Sequence, residues 1–398
     1  MVDSRTASGV LGRKVAVTVA ASAVGLGGIA AAAALTAIVL VARVVITPPR
    51  RRAEDVRILE VTDSTITLSS SPDTRVPGNY SLWFDEGAGH VKLGDITRET
   101  PDGITRTVQH IDFGDLSSAT RGRWAGWVYL DPADLGVPFE NVSIDTEFGR
   151  APAWLIQQES GAASSTWVIG VHGRGVRRSE CLRAVPVFRE AGYTSLLISY
   201  RNDGDAPASA DGRYALGDTE WRDVEAAIEY AIAHGATDVV LMGWSMGGAT
   251  VLQAATRSAH ASVVSALVLE SPVIDWVTAL EYQGGELGLV RPLQLGVIAL
   301  LGRQWAGRVT GQQQPIDLAR LDFVTRASEL TVPILLLHSA DDGFVPVTAS
   351  RALAAARPDI VTYDEFTVAR HTKLWNYDAD RWNATIARWL SERPRQGS

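Results

Sequence analysis

The chain has one cysteine, Cys181, among 398 residues. A single thiol excludes an intramolecular disulfide and a cysteine-rich zinc site. Cys181 itself reads as a small buried residue of a helix. Lysine occurs only at Lys14, Lys92 and Lys373, so nearly every cation is an arginine. There is no basic stripe with interleaved aromatics, and the formal net charge is −8. Both facts exclude a nucleic-acid partner. Charge is also missing locally: Val15 to Ala42 carries none. At about 1.5 Å per residue such a run exceeds the roughly 20 residues that cross a bilayer. A signal peptide has an apolar core of only about 7–15 residues. The run therefore predicts an uncleaved transmembrane helix over 15–46 behind a tail at 1–14, and a single-pass membrane protein. Arg43 is placed to snorkel to the headgroups. Arg43, Arg50, Arg51, Arg52 and Arg57 outnumber Arg5, Arg13 and Lys14, which tips the domain after the helix weakly to the cytoplasmic side.

What remains is apolar enough, at 46% hydrophobic residues, to bury a large core and more than one domain. Pro48-Pro49-Arg50-Arg51-Arg52 is a linker. Short alternating runs follow, broken by Gly, Pro, Asp and Ser: Val56–Val61, Thr65–Leu68, Tyr80–Phe84, His90–Leu93, Ile104–Phe113 and Ala125–Leu130. They predict a small β-rich module within 47–139. It holds no motif for chemistry, and His90 and His110 read as surface strand residues.

From 140 the rhythm changes. Val142–Thr146 and Ala153–Gln157 form a predicted hairpin. Strands at Trp167–Val171, Ser195–Tyr200, Val239–Met242, Ala266–Glu270, Ile334–His338 and Val361–Phe366 then alternate with helices. That alternation means an α/β domain over 140–392, a mostly parallel sheet with helices on both faces. Residues 393–398 read as a disordered tail.

In such sheets chemistry gathers at the carboxyl ends of the strands. After Val239–Met242 comes Gly243-Trp244-Ser245-Met246-Gly247, then an Ala- and Leu-rich helix. That is G-x-S-x-G between a strand and a helix, a turn that lifts a serine above the sheet. After Trp167–Val171 comes His172-Gly173-Arg174-Gly175, a turn able to offer a backbone N–H. Arg174 is the first candidate oxyanion donor, with Gly175 behind it, and the Met246 N–H is the second. His172 braces the turn or touches substrate. After Ile334–His338 come Asp341 and Asp342, of which Asp342 is the candidate acid. Glu270, one strand earlier, is its rival. After the last strand comes His371, the candidate base. His338 reads as structural, and His234 and His260 as helix-end residues. The order Ser245, Asp342, His371 suits a nucleophile, an orienting acid and a base.

On these residues the sequence resembles the α/β-hydrolase superfamily over about 140–392. It is most similar to the esterase and prolyl-oligopeptidase-like branch with Gly-x-Ser-Met-Gly-Gly. Tyr200–Gly204, Leu216–Glu220 with Asp223, and His338–Pro346 extend the match, although Ser339 stands where that branch often has Gly. The resemblance implies acyl transfer through Ser245, His371 and Asp342, with no metal or organic cofactor. An insert over 272–323, with Trp276, Gly284-Gly285 and the apolar Leu293–Leu301, reads as a lid with a glycine hinge. Trp244 and Trp276 are candidate pocket residues beside His172. The expected substrate is a small-molecule or lipid acyl ester or thioester. A serine peptidase and a membrane-tethered, non-catalytic binding protein are the alternatives. Oligomeric state stays open.

Overall fold

The computed structural model describes residues 31–49, 52–159 and 164–393. The tail 1–14, residues 15–30 of the expected anchor and residues 394–398 lie outside the described residues.

Residues 31–46 are helical (α1). One face of this helix meets protein, while Leu35, Leu40 and Val44 are exposed. Ala42 and Ile46 are fully buried in the main core, with Ile38, Val39, Val41 and Val45 packed around them. Arg43 Nε donates to Val309 O at 2.6 Å rather than reaching headgroups. Tyr214 N donates to Ile46 O at 2.8 Å. No helix among the described residues is long and apolar enough to cross a membrane. The expected transmembrane helix over 15–46 is therefore overturned. The single-pass localisation, the membrane partner and the choice of side fall with it. An apolar helix face needs a surface to bury against, and for this face the surface is the α/β domain.

Six antiparallel strands follow: β1 (Val56–Val61), β2 (Thr65–Ser69), β3 (Tyr80–Phe84), β4 (Gly89–Glu99), β5 (Gly103–Phe113) and β6 (Arg121–Ala125). They close into a barrel in the order β1-β2-β5-β4-β3-β6, which leaves no free strand edge. Period-2 residues such as Ile66, Leu68, Leu82, Phe84, Val91 and Leu93 fill it. Arg106 is buried between Tyr80 and Trp124 and donates to Gly78 O (3.0 Å) and Gly94 O (2.8 Å). Burial pushes its pKa down to about 10.

Two expectations for this module change. His90 is fully buried, with Nδ1 2.7 Å from Asp112 Oδ2, because the segment after β6 covers the outer face of β4 there: Nε2 lies 3.3 Å from Trp127 O and the ring 4.6 Å from Trp83. Ala125–Leu130 is not a strand beyond Ala125. Its alternating apolar residues pack on the α/β domain instead: Val128 is buried, and the Tyr129 ring lies 5.9 Å from Trp375. Asn376 joins the two parts. Its Nδ2 donates to Asn79 O (2.7 Å) and Gly126 O (2.8 Å), and its Oδ1 accepts from Arg183 Nη1 (2.9 Å).

The α/β part is one eight-stranded sheet ordered β14-β13-β12-β11-β9-β10-β8-β7. Its strands are β7 (Glu140–Thr146), β8 (Gly149–Ile156), β9 (Thr166–Val171), β10 (Thr194–Ile198), β11 (Asp238–Trp244), β12 (Val264–Glu270), β13 (Ile334–Ser339) and β14 (Val361–Phe366). The β7–β8 hairpin is antiparallel, as is the β8–β10 pair, and the rest is parallel. The helices are α2 (Val185–Glu190), α3 (Trp221–Ala233), α4 (Met246–Arg257), α5 (Trp276–Glu286), α6 (Arg291–Leu301), α7 (Gly307–Thr310), α8 (Thr348–Ala356), α9 (Leu374–Tyr377) and α10 (Ala379–Glu392). Separate buried clusters lie on the two faces of the sheet. The insert is α5 to α7. Gly284 and Gly285 lie inside the continuous helix α5, so the expected glycine hinge is absent at that point. Gly296 of α6 passes so close to α1 that a Cβ there would meet Ile38 Cδ1 at 2.5 Å.

Candidate active site

β11 ends at Trp244, α4 begins at Met246, and Ser245 alone makes the turn. Its φ of 51° lies in a region that L-residues seldom occupy. The strain persists because the surroundings fix it. Ser245 N donates to Glu270 O at 3.1 Å, and Ser245 O accepts from Val273 N at 3.1 Å. Only glycine fits the crossing. A Cβ on Gly247 would lie 2.2 Å from Val171 O, and one on Gly243 would lie 2.5 Å from Gly247 O.

His371 follows β14 in a loop with Arg370 and Thr372 both at positive φ. Three bonds hold that loop: Ala369 N to Ser339 Oγ (2.9 Å), Arg370 N to Asp341 Oδ1 (3.0 Å) and Thr372 N to Ser271 Oγ (3.1 Å). Ser339 also donates to Asp341 Oδ1 at 2.6 Å. The serine in place of glycine thus ties the acid turn to the histidine loop. His371 Nε2 lies 2.9 Å from Ser245 Oγ, and Nδ1 lies 2.7 Å from Asp342 Oδ2. These contacts join residues 126 and 29 positions apart.

Asp342 is almost fully buried, and its Oδ1 accepts from Phe344 N (2.9 Å) and Val345 N (2.8 Å). Its Oδ2 also lies 3.2 Å from His338 Nε2. Burial alone would raise this carboxyl's pKa. His371 and His338 outweigh that and hold it well below the usual carboxylate range. His338, read from sequence as structural, is buried against Ser350 Oγ (2.8 Å) and meets the same Asp342 oxygen as His371.

Gly173 N donates to Glu180 Oε2 at 2.7 Å, and Gly175 N to Asp203 Oδ2 at 2.9 Å. Between them Arg174 N has no hydrogen-bond partner among the described residues. Gly175, the fallback donor, is thus occupied. Met246 N is the first amide of α4, which has no intrahelical acceptor. The Arg174 side chain reaches away, donating to Val44 O (2.7 Å) and Thr47 O (3.2 Å) over the Tyr214 ring. The end of α1 therefore holds the turn that presents Arg174 N.

Three candidate pocket residues lie elsewhere. His172 is fully buried, stacked on Tyr200 at 4.3 Å, with Nδ1 2.8 Å from Gly173 O. It braces the turn, and burial pushes its pKa down. Trp244 points into the core on the other side of the elbow, and Trp276 is buried in the main core at the start of α5. β11 turns its alternate residues away from the Ser245 cavity, which moves Trp244 out of the site. Glu270, the rival acid, is consumed by two indoles. Trp244 Nε1 and Trp382 Nε1 each donate to its Oε2 at 2.9 Å. Glu270→Gln is expected to leave one donor facing an amide N–H and to cost about 3 kcal/mol of stability. Turnover should stay within a few-fold of wild type. Urea unfolding and ester kinetics on one preparation check both halves, and a collapse of kcat without loss of stability would make Glu270 the acid.

Ser245 and His371 open on a cavity of about 410 Å³. The wall opposite comes from Arg123 of β6, Trp127 in the segment after it, and Arg52 in the linker. Sequence reading missed all three. Nothing local marks them, since Arg52 sits in a polybasic run and Arg123 in an ordinary strand. A second cavity of about 300 Å³ shares Arg174 and Phe344 with the first. It is largely apolar, between Val41 and Val45 of α1, Leu280 and Leu287 near α5, and Val297 of α6. No group of three or more His, Cys, Asp or Glu among the described residues is placed to hold a metal ion.

A family model described as "Alpha/beta hydrolase family" matches residues 168–385, more than half of the chain. A second, "Domain of unknown function (DUF8805)", matches residues 57–125, which is the barrel. No curated protein matches the chain. Among solved structures, the Pyrococcus furiosus esterase Pf2001 is similar at 18% identity, covering 66% of this chain and 96% of its own, with a TM-score of 0.50. Est1E from Butyrivibrio proteoclasticus with ferulic acid bound is similar at 18% identity, covering 63% of this chain and 98% of its own, with a TM-score of 0.51. At that identity the likeness is one of fold.

Proposed function

The chain belongs to the α/β-hydrolase family, and from that premise we propose that it is a serine hydrolase cleaving an acyl ester or thioester through Ser245, His371 and Asp342. The observation that carries the reading is the relay Asp342 Oδ2–His371 Nδ1 (2.7 Å) and His371 Nε2–Ser245 Oγ (2.9 Å) at the strained turn.

His371 takes the Ser245 proton as Oγ attacks the acyl carbonyl. The Arg174 and Met246 amides meet the oxyanion, each donor worth roughly 3–4 kcal/mol in such sites. His371 passes the proton to the leaving oxygen or sulfur. It then activates a water that releases the acyl group. Asp342 holds the Nδ1–H tautomer throughout. The apolar cavity beside Phe344, lined in part by the insert through Leu280, Leu287 and Val297, supports an aliphatic acyl chain. The barrel wall limits the space above Ser245, which favours small esters over peptides.

A fluorophosphonate probe tests the chemistry. Wild type is labelled at Ser245 if the reading holds, and a fully folded wild type that stays unlabelled sinks it. Acyl esters of graded chain length against peptide anilides then separate esterase from peptidase.

A further inference from the structure

The Ser245 cavity carries a charge pattern that acyl transfer does not call for. Arg52 and Arg123 both line it. Arg52 donates to Arg174 O (3.0 Å) and Gly175 O (2.6 Å), which are neutral acceptors. Arg123 lies over Trp83 (5.5 Å) and Trp127 (5.4 Å). Neither guanidinium has a carboxylate within ion-pair distance among the described residues. Lys373 adds a third cation on the same cavity, although Asp73 engages it at 3.1 Å. Among the described residues the one carboxylate lining this cavity is Glu180, and its Oε2 is bonded to Gly173 N; Glu54, Glu86 and Asp203 line the adjoining cavity that Arg52 and Arg123 also face. Arg123 is half-buried, and burial followed by the neighbouring Arg52 lowers its pKa to about 10. Like charges that are partly desolvated and unpaired are unfavourable until an anion joins them.

The two cavities meet at Arg174 and Phe344, beside His371. One is apolar and suits an acyl chain. The other is cationic and lies where the alcohol part would leave. Resting on the serine hydrolase reading, we propose that the substrate is an acyl ester whose alcohol part carries a carboxylate or phosphate, gripped by Arg52 and Arg123. Chemically the step is ordinary hydrolysis. The Ser245–acyl bond forms as the ester C–O bond breaks, and His371 protonates the leaving oxygen. Water then supplies the hydroxyl of the released acid. The anionic alcohol leaves through the cationic cavity. The barrel, through Arg123 and Trp127, becomes the specificity wall of the site.

Matched pairs test this on the full chain. The carboxylate arm compares the hexanoyl ester of 3-hydroxypropionate with that of 3-hydroxypropionamide. The phosphate arm compares hexanoyl glycerol 3-phosphate with hexanoylglycerol. Wild type should favour the anionic member of one pair by about 10- to 100-fold in kcat/KM, the range of one or two charge-assisted bonds. The preferred pair identifies the anion. Added salt should shrink the ratio. Arg123→Gln should bring it towards one, and Arg123→Lys should keep part of it. If the Gln variant fails to fold, Arg52→Gln reads out the same ratio. Neutral esters turned over as fast as both anionic ones would overturn the proposal and leave the serine hydrolase standing. A ratio untouched by both substitutions would also overturn it. Absence of turnover and of fluorophosphonate labelling would sink the hydrolase reading, and this proposal with it.

Discussion

Ser245→Ala is expected to lower kcat on any accepted ester by about a million-fold, to the rate left by binding and oxyanion contacts alone. The size follows from the geometry. His371 Nε2 has one reacting partner, Ser245 Oγ, and no other hydroxyl is placed on it by the elbow. Fluorophosphonate labelling should vanish with the activity. Folding should survive, because the turn is held by backbone contacts of Ser245 with Glu270 and Val273, which alanine keeps. Ser245→Gly should be equally inactive but more stable than Ser245→Ala. A residue at φ 51° relieves strain on losing its Cβ, and the gain should be about 1 kcal/mol. An alanine variant that keeps a tenth of wild-type kcat would remove Ser245 from the mechanism.

The elbow, the acid turn and the histidine loop were legible because each is fixed by local chemistry. Gly247 cannot be anything larger beneath Val171 O, and Asp342 and His371 sit at the ends of strands whose apolar runs are unmistakable. Charge-free length was the misleading signal. The charge-free run 15–42 satisfies the composition of a membrane span, yet Ala42 at its end and Ile46 just beyond it are buried in the core of the α/β domain. Burial in protein and burial in lipid demand the same side chains, so composition cannot separate them. Period 2 gave the barrel strands but not the closure of β6 on β1, which is long-range pairing. For the same reason the far wall of the site was invisible. Arg123 and Trp127 reach Ser245 through tertiary docking held by Asn376, more than 240 residues along the chain. Trp244 misled in the opposite direction, since adjacency to a nucleophile in sequence is opposition across a strand.

Asp342→Asn is expected to lower kcat by about 10⁴-fold while the fold persists. The wild-type carboxylate is matched by donors on both oxygens: Phe344 N and Val345 N on Oδ1, His371 Nδ1 and His338 Nε2 on Oδ2. An amide must turn its NH₂ to one side. Facing the imidazoles, it forces His371 to accept at Nδ1 and carry its proton on Nε2, where it cannot take the Ser245 proton. Facing the loop, it opposes two backbone donors. Glu270→Gln faces no such choice at the base, so the two variants separate catalysis from stability. The pH dependence of stability gives a second readout. Asp342 is held below its unfolded pKa of about 3.9. Its contribution is therefore fully present above that value and is lost as pH falls through the folded pKa. The melting-temperature gap between wild type and Asp342→Asn should be widest near neutral pH and should narrow below about pH 4. A gap constant from neutral to acid pH would show that the carboxylate charge is not what His371 and His338 hold. An asparagine variant with more than a tenth of wild-type kcat would show that His371 does not need it.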